Sequence, residues 1–222
     1  MKNLFFLMLI LAGLLLGAAC TDQGPAQPAP PTTAAPAAPT VTPGTTVPAG
    51  TMATATPAPG PEWNADGVIS AGEYDGEVTL ANGQMVVYWK NDGTTLYMGL
   101  WGQVTGWMAI GFEPTTAMKD ADMIIGSVSG GQATVLDQYA TGIFGPHPSD
   151  TELGGTYDLI ESCGSESGGV TVIEFSRKLD TGDRFDTVFT PGSTIRFIWS
   201  LADTDSPTLQ HNIARGSGTL VL

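Results

Sequence analysis

After residue 62, no stretch of the chain holds an apolar 3.6-residue period over three turns. The apolar runs there are short, several alternate with period 2, and Gly, Asp, Asn and Ser punctuate them. Alternation puts one set of side chains on each face of a pleated strand, and the punctuation supplies turns. Nine strands are expected: Met85–Lys90, Thr95–Trp101, Trp107–Phe112, Met123–Val128, Ala133–Tyr139, Tyr157–Glu161, Val170–Arg177, Thr194–Leu201 and Thr219–Leu222. Leu96, Met98 and Leu100 share one face of their strand, opposite Tyr97, Gly99 and Trp101. Ile195, Phe197, Trp199 and Leu201 likewise share a face. Asn91-Asp92-Gly93 marks a hairpin turn. This pattern predicts an all-β fold, an antiparallel immunoglobulin-like β-sandwich, with a flattened barrel as the alternative.

The strands occupy residues 63–222, which hold all 5 Trp, all 5 Tyr and 6 of the 8 Phe. Residues 21–62 are of another kind. They carry 11 of the 16 Pro, no aromatic residue, and only Asp22 and Glu62 as charges. Such a segment cannot bury enough apolar surface to offset its ordering entropy. It reads as a Pro-rich, extended stalk, a candidate for O-glycosylation on its Thr residues. Ahead of it lie Met1-Lys2-Asn3, an apolar run Leu4–Leu16 broken only by Gly13, then Gly17-Ala18-Ala19 and Cys20. This is the layout of a secretory signal, too short to span a membrane. A Cys directly after small residues resembles a bacterial lipoprotein signal. It implies removal of 1–19 and lipidation of Cys20, with the protein exported and lipid-anchored, facing the periplasm or cell exterior. The position three before Cys20 is Gly17, where such signals usually have Leu. The alternative is ordinary cleavage nearby and a soluble product.

Charge and motif content remove several functions. Eight Lys and Arg against 22 Asp and Glu give a net charge of -14, which repels phosphate backbones and argues against nucleic acid. Two Cys and 2 His cannot build a disulfide scaffold or a zinc-finger site. There is no G-x-S-x-G turn and no H-E-x-x-H, so enzyme signatures are scarce and a catalytic role is not expected. Cys163 has Glu161 and Glu166 as neighbours, which raise a thiol pKa, so it reads as an unpaired structural thiol. Covalent c-type haem is excluded by the lack of C-x-x-C-H. The acidic groups Asp120/Asp122, Asp180/Asp183/Asp186 and Asp203/Asp205 read as solvated loops, with a Ca²⁺ site as the functional alternative.

The soft and imidazole donors are Met118, in a loop between two strands, and His211, just before the last strand. A thioether with a neutral imidazole suits haem iron with both axial positions filled. On residue type alone, a lone Met is usually core filler and a lone loop His is usually surface. His147, in Phe144-Gly145-Pro146-His147-Pro148, reads as surface.

Five segments carry a resemblance to a known family. Gly106-Trp107-Met108-Ala109-Ile110-Gly111-Phe112 resembles a G-W-x-x-x-G-F strand. Met118-Lys119-Asp120-Ala121-Asp122-Met123-Ile124-Ile125-Gly126 is similar to M-x-x-A-D-x-x-I-G. Glu174-Phe175-Ser176-Arg177 opens an E-F-S-R-x-L-x-T stretch. Ile195–Trp199 and His211–Gly216 complete the order, and Asp66–Tyr74 resembles the start of bacterial members. The family is the DOMON domain, named for the N-terminal domain of dopamine β-monooxygenase.

The resemblance implies a sandwich that, in some members, binds haem b and passes single electrons outside the cytoplasm. It implies Met118 and His211 as axial ligands of the haem iron, with Met108 or Met123, or a neutral Lys119, as alternatives to Met118. Haem is expected between the sheets at one end, against Trp107, Met108, Phe112 and Trp199, with Lys119 and Arg215 near its propionates. The partner is expected to be an extracytoplasmic or membrane redox protein with a basic surface. The resemblance includes no copper monooxygenase domain, so that activity is not expected of this domain. The other reading is a carbohydrate- or Ca-binding module without redox activity, with Trp63, Trp101 or Tyr139 stacking on a glycan.

Overall fold

The computed structural model describes residues 62–222, so the expected signal, Cys20 and the stalk lie outside the described residues. Every expected strand forms, and one more precedes them. The ten are β1 (Gly76–Leu80), β2 (Met85–Asn91), β3 (Thr95–Gly102), β4 (Met108–Phe112), β5 (Asp122–Ser129), β6 (Gln132–Tyr139), β7 (Leu159–Ser167), β8 (Val170–Lys178), β9 (Thr194–Leu201) and β10 (Ala214–Val221). They pair into two antiparallel five-stranded sheets, β1-β2-β3-β8-β7 and β10-β9-β4-β5-β6. This is the expected sandwich, not the barrel.

The β2–β3 turn shows how local sequence sets register. Asp92 Oδ1 accepts from the backbone N–H of Thr94 and of Thr95, each at 2.8 Å, and Gly93 takes φ +89°. The alternating residues then meet across the sheets. Leu96, Met98 and Leu100 from β3 face Ile110, Phe112, Phe197 and Leu201 from the second sheet in one buried core.

Two of the strands read least well, β1 and β10, have identifiable causes. β1 is short, and no residue of it is fully buried. The first half of β10 is Ala214-Arg215-Gly216-Ser217-Gly218, which lacks apolar alternation. Gly216 pairs with Trp199 and Gly218 with Phe197. A Cβ at those glycines would fall 2.8 Å from the Trp199 ring and 2.6 Å from the Phe197 ring. The β10 glycines therefore make room for core rings carried by β9.

Two of the motifs act in the frame of the fold. Glu174 in β8 is buried and accepts from the N–H of Asp66 (3.1 Å), the N–H of Gly67 (2.7 Å) and the Tyr74 hydroxyl (2.7 Å). It thereby pins the segment ahead of β1 to the first sheet. Arg177, three residues on and 0% exposed, donates to Asp122 of β5 at 3.0 and 2.8 Å. It also donates to Asp186 at 3.1 Å and to the Thr187 carbonyl at 2.9 Å. Its guanidinium lies 4.9 Å from the Phe189 ring centroid and 6.0 Å from that of Phe112. The Arg of E-F-S-R and the Asp of M-x-x-A-D thus form one buried ion pair that ties the two sheets together.

Candidate functional site

β4 is buried along its whole length, on both faces. Met108, Ile110 and Phe112 point into the inter-sheet core. Ala109 instead joins Trp107, Ala121, Met123 and Ile125 in a second apolar cluster, against which Met118 and Ile198 pack. This outer face of the second sheet carries a cavity of about 440 Å³. That volume lies within the range of small-molecule and cofactor sites.

Met118, His211, Trp107 and Arg215 all line this cavity. Met118 is delivered by a tight loop in which Ala117 and Asp120 take φ of +53° and +62°. The loop is closed by the bonds Lys119 N–H to Thr116 O (2.9 Å) and Ala121 N–H to Met118 O (3.1 Å). His211 comes from the segment before β10, and its ring meets the edge of Trp107 at 6.2 Å between centroids. Burial first, and then the Arg215 charge, lower the His211 pKa, which keeps the imidazole neutral with a lone pair to give.

Trp107 is held by paired backbone bonds, its N–H to Thr204 O at 2.8 Å and its O from Ala202 N–H at 3.0 Å. Gly106 is required for that approach, since a Cβ there would lie 2.5 Å from Ala202 O. The Trp107 indole N–H is buried and has no hydrogen-bond partner. Gly111, the second glycine of the G-W-x-x-x-G-F strand, lines the cavity, and a Cβ there would lie 3.1–3.3 Å from Ile198, Met123 and Ala121, so the glycine lets these walls pack closely.

Several expected positions differ from the structure. The cavity lies outside the sandwich, not between its sheets. Met108 and Phe112 point the other way, into the core, where Phe112 packs edge-on against Phe189 at 5.0 Å. Alternation along β4 forces this: residues 108, 110 and 112 share one face, and 109 and 111 the other. Lys119 is not among the lining residues, and its ammonium lies 4.0 Å from Asp120 on the surface. Trp199 and Met123 do line the cavity.

His147, expected on the surface, is half-buried and also lines it. Its Nδ1 lies 2.9 Å from Gln138 Oε1. An amide oxygen only accepts, so Nδ1 carries the hydrogen and Nε2 of the neutral ring keeps its lone pair. Burial lowers the His147 pKa. Nothing in its local sequence signals this. The loop after β6 folds back along its own strand, with Tyr139 N–H bonded to Pro148 O at 3.0 Å. Beside it, Ile143 and Phe144 stand at the cavity, Phe144 92% exposed.

The aromatics proposed for glycan stacking are only partly exposed. Trp63 donates to the Tyr74 hydroxyl at 2.9 Å and packs on Tyr97, and Tyr139 packs on Phe185. Cys163 is buried and disulfide-bonded, which corrects the expected unpaired thiol. The sequence holds one other cysteine, Cys20, outside the described residues.

The DOMON domain profile matches residues 81–202, which contain both halves of the Asp122–Arg177 pair and the G-W strand. DBH-like monooxygenase protein 1 of Mus musculus is 31% identical over 143 residues, covering 63% of this chain and 22% of that protein. Its Homo sapiens counterpart is 28% identical over 145 residues, covering 64% and 23%. This chain therefore spans under a quarter of the length of the curated relatives it matches. Among solved structures, the cytochrome domain of Myriococcum thermophilum cellobiose dehydrogenase aligns with a TM-score of 0.47 at 15% identity, over 66% of this chain and 80% of that one. The cytochrome b domain of pyranose dehydrogenase from Coprinopsis cinerea aligns at 0.44 and 11% identity, over 61% and 74%. With its profile match covering more than half of the sequence and every strand from β2 to β9, the chain belongs to the DOMON domain family.

Proposed function

We propose that the cavity on the outer face of the second sheet binds haem b, that Met118 and His211 would hold its iron, and that the domain carries single electrons. The observation that supports this reading is the convergence of a thioether and a neutral imidazole, far apart in sequence, on one apolar cavity. The other lining groups fit the same ligand. Ala109, Ile125 and Ile198 offer apolar walls, Arg215 offers a cation to propionates, and the partnerless Trp107 N–H offers a donor. When bound between two protein ligands, haem iron supplies one-electron exchange.

The protein's part is to hold and tune. Burial keeps His211 unprotonated, the Met118 loop supplies the soft donor, and the apolar walls exclude water. In this reading the signal is removed and residues 21–62 hold the domain off the membrane through a lipid on Cys20, which requires that sulfur to be free of the Cys163 disulfide. The acidic surface then favours a basic redox partner, with binding that weakens as salt rises.

The test is an absorption spectrum of the full-chain protein produced with haem, oxidised and then reduced. Sharp α and β bands on reduction, lost in Met118→Ala and in His211→Ala, are expected. A folded protein that takes up no added hemin would overturn the reading.

A further inference from the structure

The structure places a second cluster of unsatisfied donors away from the cavity. Carboxylate oxygens of Asp122 (β5), Asp137 (β6) and Asp186 (the segment before β9) lie within 4.8 Å of one another. Asp122 is 1% exposed, Asp137 2%, and the Asp186 side chain 1%. A fourth carboxylate, Asp150, is 1% exposed and close enough for the charges of Asp137, Asp186 and Asp122 to act on it.

Among the described residues, the cation in contact with this cluster is Arg177, bonded to Asp122 and Asp186. With all four ionised, four carboxylates against one guanidinium would leave an excess of three negative charges in a buried place. The hydrogen bonds show where the excess sits. Asp122 is satisfied by Arg177 and by the Thr187 N–H at 2.8 Å, and Asp137 Oδ2 by the Asp158 N–H at 2.8 Å. Asp137 Oδ1, Asp186 Oδ2 and both oxygens of Asp150 are buried with no partner. Buried carboxylate oxygens without a donor are costly, and their persistence in one spot calls for a cation.

We propose that Asp122, Asp137 and Asp186, with Asp150 beside them, form a structural binding site for one calcium ion. All the donors are hard oxygens, with no thiolate or imidazole among them, which disfavours zinc and copper. Calcium accepts irregular cages of carboxylates at 2.3–2.6 Å, whereas magnesium demands near-ideal octahedral geometry and sheds water reluctantly. The ion would cut the excess from three negative charges to one. It would also join β5, β6, the turn at Asp150–Leu153 and the segment ahead of β9, reinforcing the Asp122–Arg177 link between the sheets. The site is distinct from the haem cavity, and the proposal does not depend on that reading.

The test uses the full-chain protein freed of metal by chelation, titrated with calcium chloride and followed by calorimetry and thermal unfolding. One ion per chain is expected, with Tm rising by about 5–10 °C at a hundredfold excess over Kd. Magnesium chloride should give a smaller rise. Asp137→Asn, which keeps the shape and removes one charge, should abolish the calcium response, with Asp150→Asn as the second variant if the first does not fold. No calcium response in the parent protein, together with an Asp137→Asn protein of equal or higher Tm, would show that protons neutralise the cluster and overturn the proposal. A calcium response that survives in both variants would overturn it as well.

Discussion

Replacing Arg177 by Met tests the link between the two sheets most directly. The side chain is 0% exposed, and its charge is shared by Asp122 and Asp186, both nearly inaccessible. Met keeps much of the apolar stem and its packing on Phe189 and Phe112, so the change mainly removes the charge and its donors. It leaves two buried carboxylates without a cation and orphans the Thr187 carbonyl. Breaking a buried pair from one side typically costs about 3–5 kcal/mol. For a domain of this size, that corresponds to a Tm drop of about 6–20 °C. Urea unfolding of the full-chain parent and variant at neutral pH, with m unchanged, would measure it. Arg196, paired with Glu113 at 2.8 Å but with 62% of its side chain exposed, is the control. Arg196→Met should cost about 1 kcal/mol or less. If Arg177→Met cost no more than Arg196→Met, the buried pair would not be what joins the sheets.

Other expectations concern charge, the cavity and the cysteines. Burial raises Glu174 and Asp137 to about 7 and Asp150 to about 8. Their folded-state pKa values lie above the unfolded ones, so the stability they contribute is full below about pH 4 and is lost as pH rises to about 8, and calcium-free protein should lose Tm steadily across that interval. A Tm that rises across that interval in chelator would contradict this assignment. Gly111→Leu, whose Cβ would meet Ile198, Met123 and Ala121 at 3.1–3.3 Å, should push these walls into the cavity and reduce hemin uptake at least tenfold in a protein that still unfolds cooperatively. Full uptake by that variant would move the ligand elsewhere. Cys20 has one sulfur, which serves either a lipid thioether or a disulfide. Intact mass of non-reduced, membrane-extracted protein distinguishes the two: added lipid mass supports the anchor, and a lipid-free chain with Cys20 bonded to Cys163 goes with the disulfide. Mass without lipid would remove the proposed anchor.

The strand pattern was legible because side-chain alternation is a local property. Leu96, Met98 and Leu100, and Ile195 to Leu201, sort to the core with no knowledge of their partners. What stayed hidden depended on neighbours across space. The glycines of β10 carry no apolar signal because their role is to leave room for Trp199 and Phe197. β4 looked like a strand against one core, yet its outer face, Ala109 and Gly111, floors a cavity.

Resemblance to the DOMON family brought Met118 and His211 together as candidates. Only the fold shows that both line one cavity, that His147 joins them, and that Phe112 and Lys119 do not. The acidic residues taught the same lesson. In sequence, Asp122 and Asp186 read as solvated loops and Asp137 and Asp150 drew no notice. Packing of β5, β6 and two connecting segments buries all four around Arg177. Periodicity reports which face of a strand is apolar. Where two distant loops or four distant carboxylates meet is decided by sheet order and loop path, which no local pattern encodes.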